Sequence, residues 1–158
     1  MQNQDSLINQ AEAEAFIGKK SDYYLEKWGN PTQASHNWAA YLGGIGWLLY
    51  RKMYIEALVL LALWTLLDVL LWPLPFFDTI DRAVTMGIWI LVGTYGNTLY
   101  HRKFLRVTRK GDHLEGEERL RFLNKKGGTS ILAAVVLTPV FVFLSILVFD
   151  ALFPLLWQ

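Results

Sequence analysis

The chain has 158 residues, 53% of them apolar and 18% charged, with a net charge of +1 and no cysteine. Its length suits one small domain, and the lack of cysteine excludes disulfides, thiolate catalysis and thiolate metal sites. The charges are gathered into blocks between long apolar runs, which excludes an ordinary soluble domain and predicts an all-α, polytopic membrane bundle.

The first 16 residues are polar and acidic. They lack the basic start, apolar core and cleavage site of a secretory signal. Ser6 is a candidate cap for a short helix through Ala15 that stops near Gly18. Ser21 or Asp22 then caps a turn or two carrying Tyr23, Tyr24, Leu25 and Trp28, ended by Gly29-Asn30-Pro31. With Lys19, Lys20 and Lys27 beside these aromatics, the segment reads either as a membrane-surface helix or as a small packed cap.

From Asn37 the character changes. The run Asn37 to Tyr50 has 14 residues, a helix of ~21 Å against a hydrocarbon core of ~30 Å. Its small residues recur four apart, Ala39 with Gly43 and Ala40 with Gly44, a spacing that lets helices approach closely. After the basic step Arg51-Lys52, Tyr54 to Trp72 offers 19 residues, enough to span. Pro73 and Pro75 break it. Ala83 to Tyr100 is a second expected span. Thr129 to Phe149 is the third, with Thr129 and Ser130 as capping candidates and Pro139 as an expected kink. The expected layout is an N-terminal helical segment over 1–36 and a membrane domain over 37–158. Within that domain lie three spans (54–72, 83–100 and 129–149), a basic loop over 101–128 and a short re-entrant or interfacial helix over 37–50.

Basic residues orient it. The 101–128 loop holds nine of the 15 Lys and Arg, and against four acids its charge is +5. This places the loop in the cytoplasm and the C-terminus outside. Lys19, Lys20 and Lys27 put the N-terminus inside as well, so both flanks of 37–50 fall on one side and a re-entrant or interfacial helix follows. A true fourth span would instead put the N-terminus outside. Gly111 should end a helix continuing from the second span, and Asp112 with Glu115 forms a capping-box pattern for the next. Glu115 with Arg119 and Glu117 with Arg121 are acid-first pairs four apart. The basic face suits anionic lipid at the inner leaflet. Nucleic acid is not expected, because positive juxtamembrane loops are what the topology rule demands anyway.

No metal-ligand spacing, nucleophile elbow, phosphate loop or dinucleotide fingerprint is present. No catalytic, cofactor or metal residue is therefore assigned. Polar residues inside spans are the remaining candidates. Glu56 near the inner end is expected to meet Asn97, His101 or Arg51 in one polar cluster. Asp68 near the outer end is expected to pair with Arg82 across the proline loop.

The blocks FIGKKSDYYLEKW, NWAAYLGGIGWLLYRKMY and GNTLYHRK resemble the bacterial family catalogued as domain of unknown function 2628, over roughly Phe16 to Arg109. The resemblance implies a small bacterial inner-membrane protein, which the spans above make multi-pass, and brings no activity or catalytic residues. Two functions stand open. One is a non-enzymatic accessory or scaffolding subunit docking on a larger membrane-protein partner. The other is a small homo-oligomeric transporter or channel lined by Glu56, Asp68 and Asn97.

Overall fold

A computed structural model describes residues 2–29 and 35–156, with side chains from residue 10 onward in those ranges. The described residues form helices and no strand: α1 (Gln2–Ile17), α2 (Ser21–Gly29), α3 (Trp38–Tyr50), α4 (Tyr54–Leu71), α5 (Phe77–Lys110), α6 (Gly116–Lys126) and α7 (Ile131–Leu156). They divide into two compact units, Met1–Asn37 with Thr94–Thr129, and Trp38–Gly93 with Ser130–Gln158. The first unit thus joins the N-terminal segment to the basic loop, and the boundary falls inside α5.

In the first unit α1 packs on α2 and α6. α1 starts ahead of Ser6, which lies within the helix and does not cap it. Its stop is as the sequence predicts. Gly18, at φ 68°, takes the left-handed conformation that glycine allows, and its N–H returns to the Glu14 carbonyl at 2.9 Å. Phe16, Ile17, Tyr24, Tyr100, Phe104 and Leu123 are buried together with Trp28. The aromatic face of α2 is therefore covered by protein, which favours the packed cap over the surface helix. Asn30 and Pro31 lie outside the described residues.

Arg119 ties α6 to α1. Its Nε donates to Glu12 Oε1, its Nη1 to the Gly111 carbonyl at 2.8 Å, and its Nη2 to Asp112 Oδ1 at 3.3 Å. The bond to Glu12 holds the guanidinium pKa above even its usual high value. These contacts explain two departures from the sequence pattern. Asp112 faces Arg119 instead of capping a helix, and α6 begins at Gly116 after an extended Glu115 with no side-chain cap bond. Arg119 bonds to Glu12, Gly111 and Asp112, whereas the second pair forms, with Arg121 Nη2 2.8 Å from Glu117 Oε2. Gly111 ends α5 as expected, its N–H reaching the Thr108 carbonyl at 3.0 Å.

In the second unit α3, α4 and α7 pack on one another. α4 buries the stripe Ala57, Leu61, Thr65 and Val69, four residues apart on one face. Ile55, Leu58, Val59, Leu63, Leu66 and Leu70 on its other faces are exposed. Ser130 caps α7, its Oγ accepting the Ala133 N–H at 3.1 Å. Pro139 lies inside a helix that runs on through it. Among the described residues, two helices are long and apolar enough to cross a membrane, not the three expected: α4, and the stretch Gly116–Leu156, whose apolar part is α7. The 83–100 segment of α5 falls short because Gly, Thr, Tyr and Asn dilute its aliphatic residues. α5 also starts at Phe77, so Asp78, Asp81 and Arg82 belong to its first turns and not to a loop.

α3 is broken. Gly44 has φ 48° and ψ −126°, a conformation L side chains rarely adopt, so one of the small residues expected to let helices approach also interrupts the helix. Close approach is real at Gly93, where an added Cβ would strike the Tyr41 ring, and absent at Gly87, where it would meet open space. Gly93→Ala should therefore destabilise the second unit by about 1–3 kcal/mol through overpacking. Gly87→Ala on the same helix should be neutral or stabilising by up to ~1 kcal/mol from helix propensity. Thermal unfolding of the purified variants measures both, and equal responses would contradict the packing.

Candidate functional site

Two polar sites emerge, one in each unit. In the first, Asn97 is 1% exposed and stands among the aromatic side chains of the core. α5 presents it, and residues far away in sequence satisfy it. Asn37 Nδ2 donates to Asn97 Oδ1 at 2.7 Å. Asn97 Nδ2 donates to Ser35 Oγ at 2.9 Å and to the Tyr23 hydroxyl at 3.3 Å. The Tyr23 hydroxyl itself donates to the His36 carbonyl at 3.2 Å. Trp28 Nε1 donates to the Asn97 carbonyl at 3.2 Å. An amide with two donors and a carbonyl oxygen fits this task, whereas a carboxylate has no donor to offer. His101, one helical turn on, stacks against Trp28 with ring centres 4.8 Å apart. Burial pushes its imidazole below its ordinary pKa, so the neutral ring is the form that stacks.

Of the four residues expected in one cluster, two belong to each unit. Asn97 and His101 are joined through Trp28 in the first. Arg51 and Glu56 belong to the second, at the corner where α3 turns into α4. Arg51 is buried, its guanidinium 5.7 Å from the Tyr50 ring centre. Lys52 makes the turn at φ 56°, and Met53 N–H closes it on the Leu48 carbonyl at 2.8 Å. Glu56 is half-buried in the first turn of α4. Sequence reasoning found Asn97 but not its partners Tyr23, Ser35 and Asn37. Only the Gly-Asn within the helix pattern hinted at a special position.

The second site is at the other end of α4. Asp68 is expected to meet Arg82. Instead its carboxyl lies within hydrogen-bond reach of Asp81. The two line one depression of about 240 Å³ with Trp72, Phe77, Ser145 and Phe149. Helix geometry sets which residue of α5 meets Asp68. Because α5 is already helical at Phe77, residues 81 and 82 point about 100° apart, and with Asp81 facing Asp68, Arg82 is turned outward and exposed. Among the described residues, neither Asp68 nor Asp81 has an ion-pair partner. Two neighbouring carboxylates with no counter-charge repel each other, a repulsion that a proton or a cation between them relieves. Among the described residues no three His, Cys, Asp or Glu side chains gather as a metal site.

Two outcomes are expected at the first site. Asn97→Ala leaves the Asn37, Tyr23 and Ser35 groups without their buried partner and should cost about 1–3 kcal/mol, measured by thermal unfolding in detergent. An unchanged midpoint would contradict the network. The His101 shift sets a pH dependence. A ring whose folded pKa is lowered stays neutral while the unfolded chain takes up a proton, so stability should fall as pH drops through about 6.5, the ordinary histidine value. His101→Gln should flatten that part of the profile, and a profile unaffected by the substitution would remove His101 as its source.

No match to this chain was found among curated proteins or solved structures. The family model described as "Protein of unknown function (DUF2628)" matches residues 9–106. That is more than half the chain, and it contains α2, α3, α4, Asn97, His101, Asp68 and Asp81. The chain therefore belongs to the DUF2628 family of proteins of unknown function.

Proposed function

We propose that this is a multi-pass protein of a bacterial inner membrane, acting as a non-enzymatic accessory subunit of a larger membrane complex. The observation that carries the reading is α7. Its 26 residues are apolar almost throughout, and none is buried within the chain. Val135, Val136, Val140, Val142, Phe143 and Leu147 are exposed along its length, a surface that is stable in lipid and not in water. α4 offers the same kind of surface. α5 is less apolar and completes the crossing in this account, with Met86, Ile90 and Leu91 exposed on it. α3, broken at Gly44, enters and returns on the cytoplasmic side.

The first unit is the docking platform in this account. Its fold is set by buried contacts, and its outer surface carries the exposed cations Arg102, Arg106, Arg109, Lys110, Arg121, Lys125 and Lys126. Such a face beside the inner leaflet attracts anionic lipid and orients whatever docks there. The competing role of a small homo-oligomeric transporter or channel is favoured by one observation, the unpaired Asp68–Asp81 contact.

Reporter fusions at Gln10, Gly116 and Gln158 test the topology, with the first two expected inside and the last outside. An exported reporter at Gln10 would overturn the re-entrant α3. Purification in mild detergent tests the role. Co-elution with a defined larger membrane protein is expected, and a closed homo-oligomer that conducts ions in liposomes would replace the accessory reading with the transporter one.

A further inference from the structure

A cavity of about 290 Å³ opens in the second unit where the break in α3 faces α4, α5 and α7. Gly44, Trp64, Thr65, Asp68, Trp89 and Ser145 are among the residues that line it. It differs from a packing gap in three respects. Its floor is the interrupted backbone at Gly44, and irregular backbone among membrane helices is tolerated where it is buried in protein or lines a polar cavity. Its walls include two indoles, and Trp89 Nε1 stands 3.4 Å from the position a Gly44 Cβ would take, so glycine is what lets that indole reach the break. Its one ionisable group, Asp68, touches a second carboxyl, Asp81, and has no basic partner among the described residues.

Those features define a ligand class. A carboxyl pair in apolar surroundings calls for positive charge. The volume is far more than a bare metal ion fills and suits a small organic molecule held by a few polar groups. Indole faces attract alkylammonium ions through their negative quadrupole. We propose that this cavity binds a small alkylammonium cation, its charge against the Asp68 carboxylate and its alkyl part between Trp64 and Trp89.

Binding is an exchange. At a pH where the empty pair shares one proton between its two carboxyl groups, its net charge is −1. The cation enters, the shared O–H bond breaks, and the proton leaves to water, so the occupied site with two carboxylates and one ammonium again carries −1. No redox partner is involved. The inference rests on the membrane reading only in that lipid, not water, surrounds the cavity, and it gives the transporter alternative a substrate class.

The test is calorimetric titration of ethylammonium chloride into the purified full chain in lipid nanodiscs, with propanol as the neutral counterpart. Ethylammonium should bind at least about tenfold more tightly than propanol, the scale of a desolvated cation–π contact. At a pH where the empty pair is protonated, the apparent heat should change with buffer ionisation enthalpy in proportion to one released proton. Asp68→Asn should abolish binding. Asp81→Asn should keep binding but lose the proton release, because an amide donates to Asp68 without a titrating proton. Arg82→Ala should change neither. Far-UV circular dichroism shows which variants are folded, and if Asp68→Asn does not fold, the buffer dependence in the parent and in Asp81→Asn decides alone. Equal affinity for propanol, no binding in the parent, or undiminished proton release in Asp81→Asn would overturn the proposal. Flotation of the chain with liposomes is scored separately. A chain that floats yet ignores ethylammonium keeps the membrane reading and loses this site. A chain that stays soluble without lipid loses the membrane reading, and the titration, repeated in solution, still decides the cavity.

Discussion

Apolar surface with no protein to cover it is the constraint on which the second unit depends. α4 and α7 turn leucine, valine, isoleucine and phenylalanine outward, and in the bilayer proposed for them the surroundings would offer no hydrogen bonds, so each polar group would need its partner inside. The hydroxyls obey this locally. Thr65 donates to the Leu61 carbonyl, Thr138 to that of Ala134, and Ser145 to that of Val142, each within its own helix. Such bonds let polar side chains sit in an apolar helix at little cost. Asp68 is the group this device cannot satisfy, because a helix backbone has no free donor to give a carboxylate in mid-helix. Its contact with Asp81 is therefore the chemically informative feature of the second unit.

The first unit is solved by the opposite means. Its helices are short and charged, and aromatic rings with a few buried polar groups hold them together. Phe16, Trp28, Tyr100 and Phe104 pack with ring centres about 5–6 Å apart, a range in which tilted and offset rings attract. Asn97 and Arg119 then fix which segments meet. Each binds residues from distant parts of the chain, and each would leave buried polar groups stranded if removed. The division of the chain into two units follows this chemistry, since one is held by directional polar contacts and the other by apolar packing around small residues.

Local signals were legible in the sequence. Gly18 and Gly111 mark helix ends because only the chain's own backbone is involved. Ser130 reads as a cap because an apolar run follows it directly. The family resemblance was legible too, from motifs that the matched region contains. What failed was tertiary. Asp112 looks like a cap until Arg119, seven residues on, takes its carboxylate. Arg82 looks like the partner of Asp68 because opposite charges attract, but a helix starting at Phe77 presents Asp81 there instead. Asn97 shows no sign of Tyr23, Ser35 and Asn37, which come from a segment 60 or more residues earlier. Gly44 could be read for small size alone, while its left-handed backbone depends on how α3 packs.

The central claim is that α7 lies in lipid along its length, and its accessibility tests this most directly. The natural chain has no cysteine, so single cysteines can be placed from Ile131 to Phe149, spin-labelled, and reconstituted in vesicles. Collision with dissolved oxygen reports lipid, and collision with a water-soluble nickel chelate reports water. The account predicts that the middle of the helix excludes the chelate at every position, with oxygen access low only where α7 packs on α3 and α4. Chelate access recurring every three to four residues through that middle would show a water-facing side and contradict it.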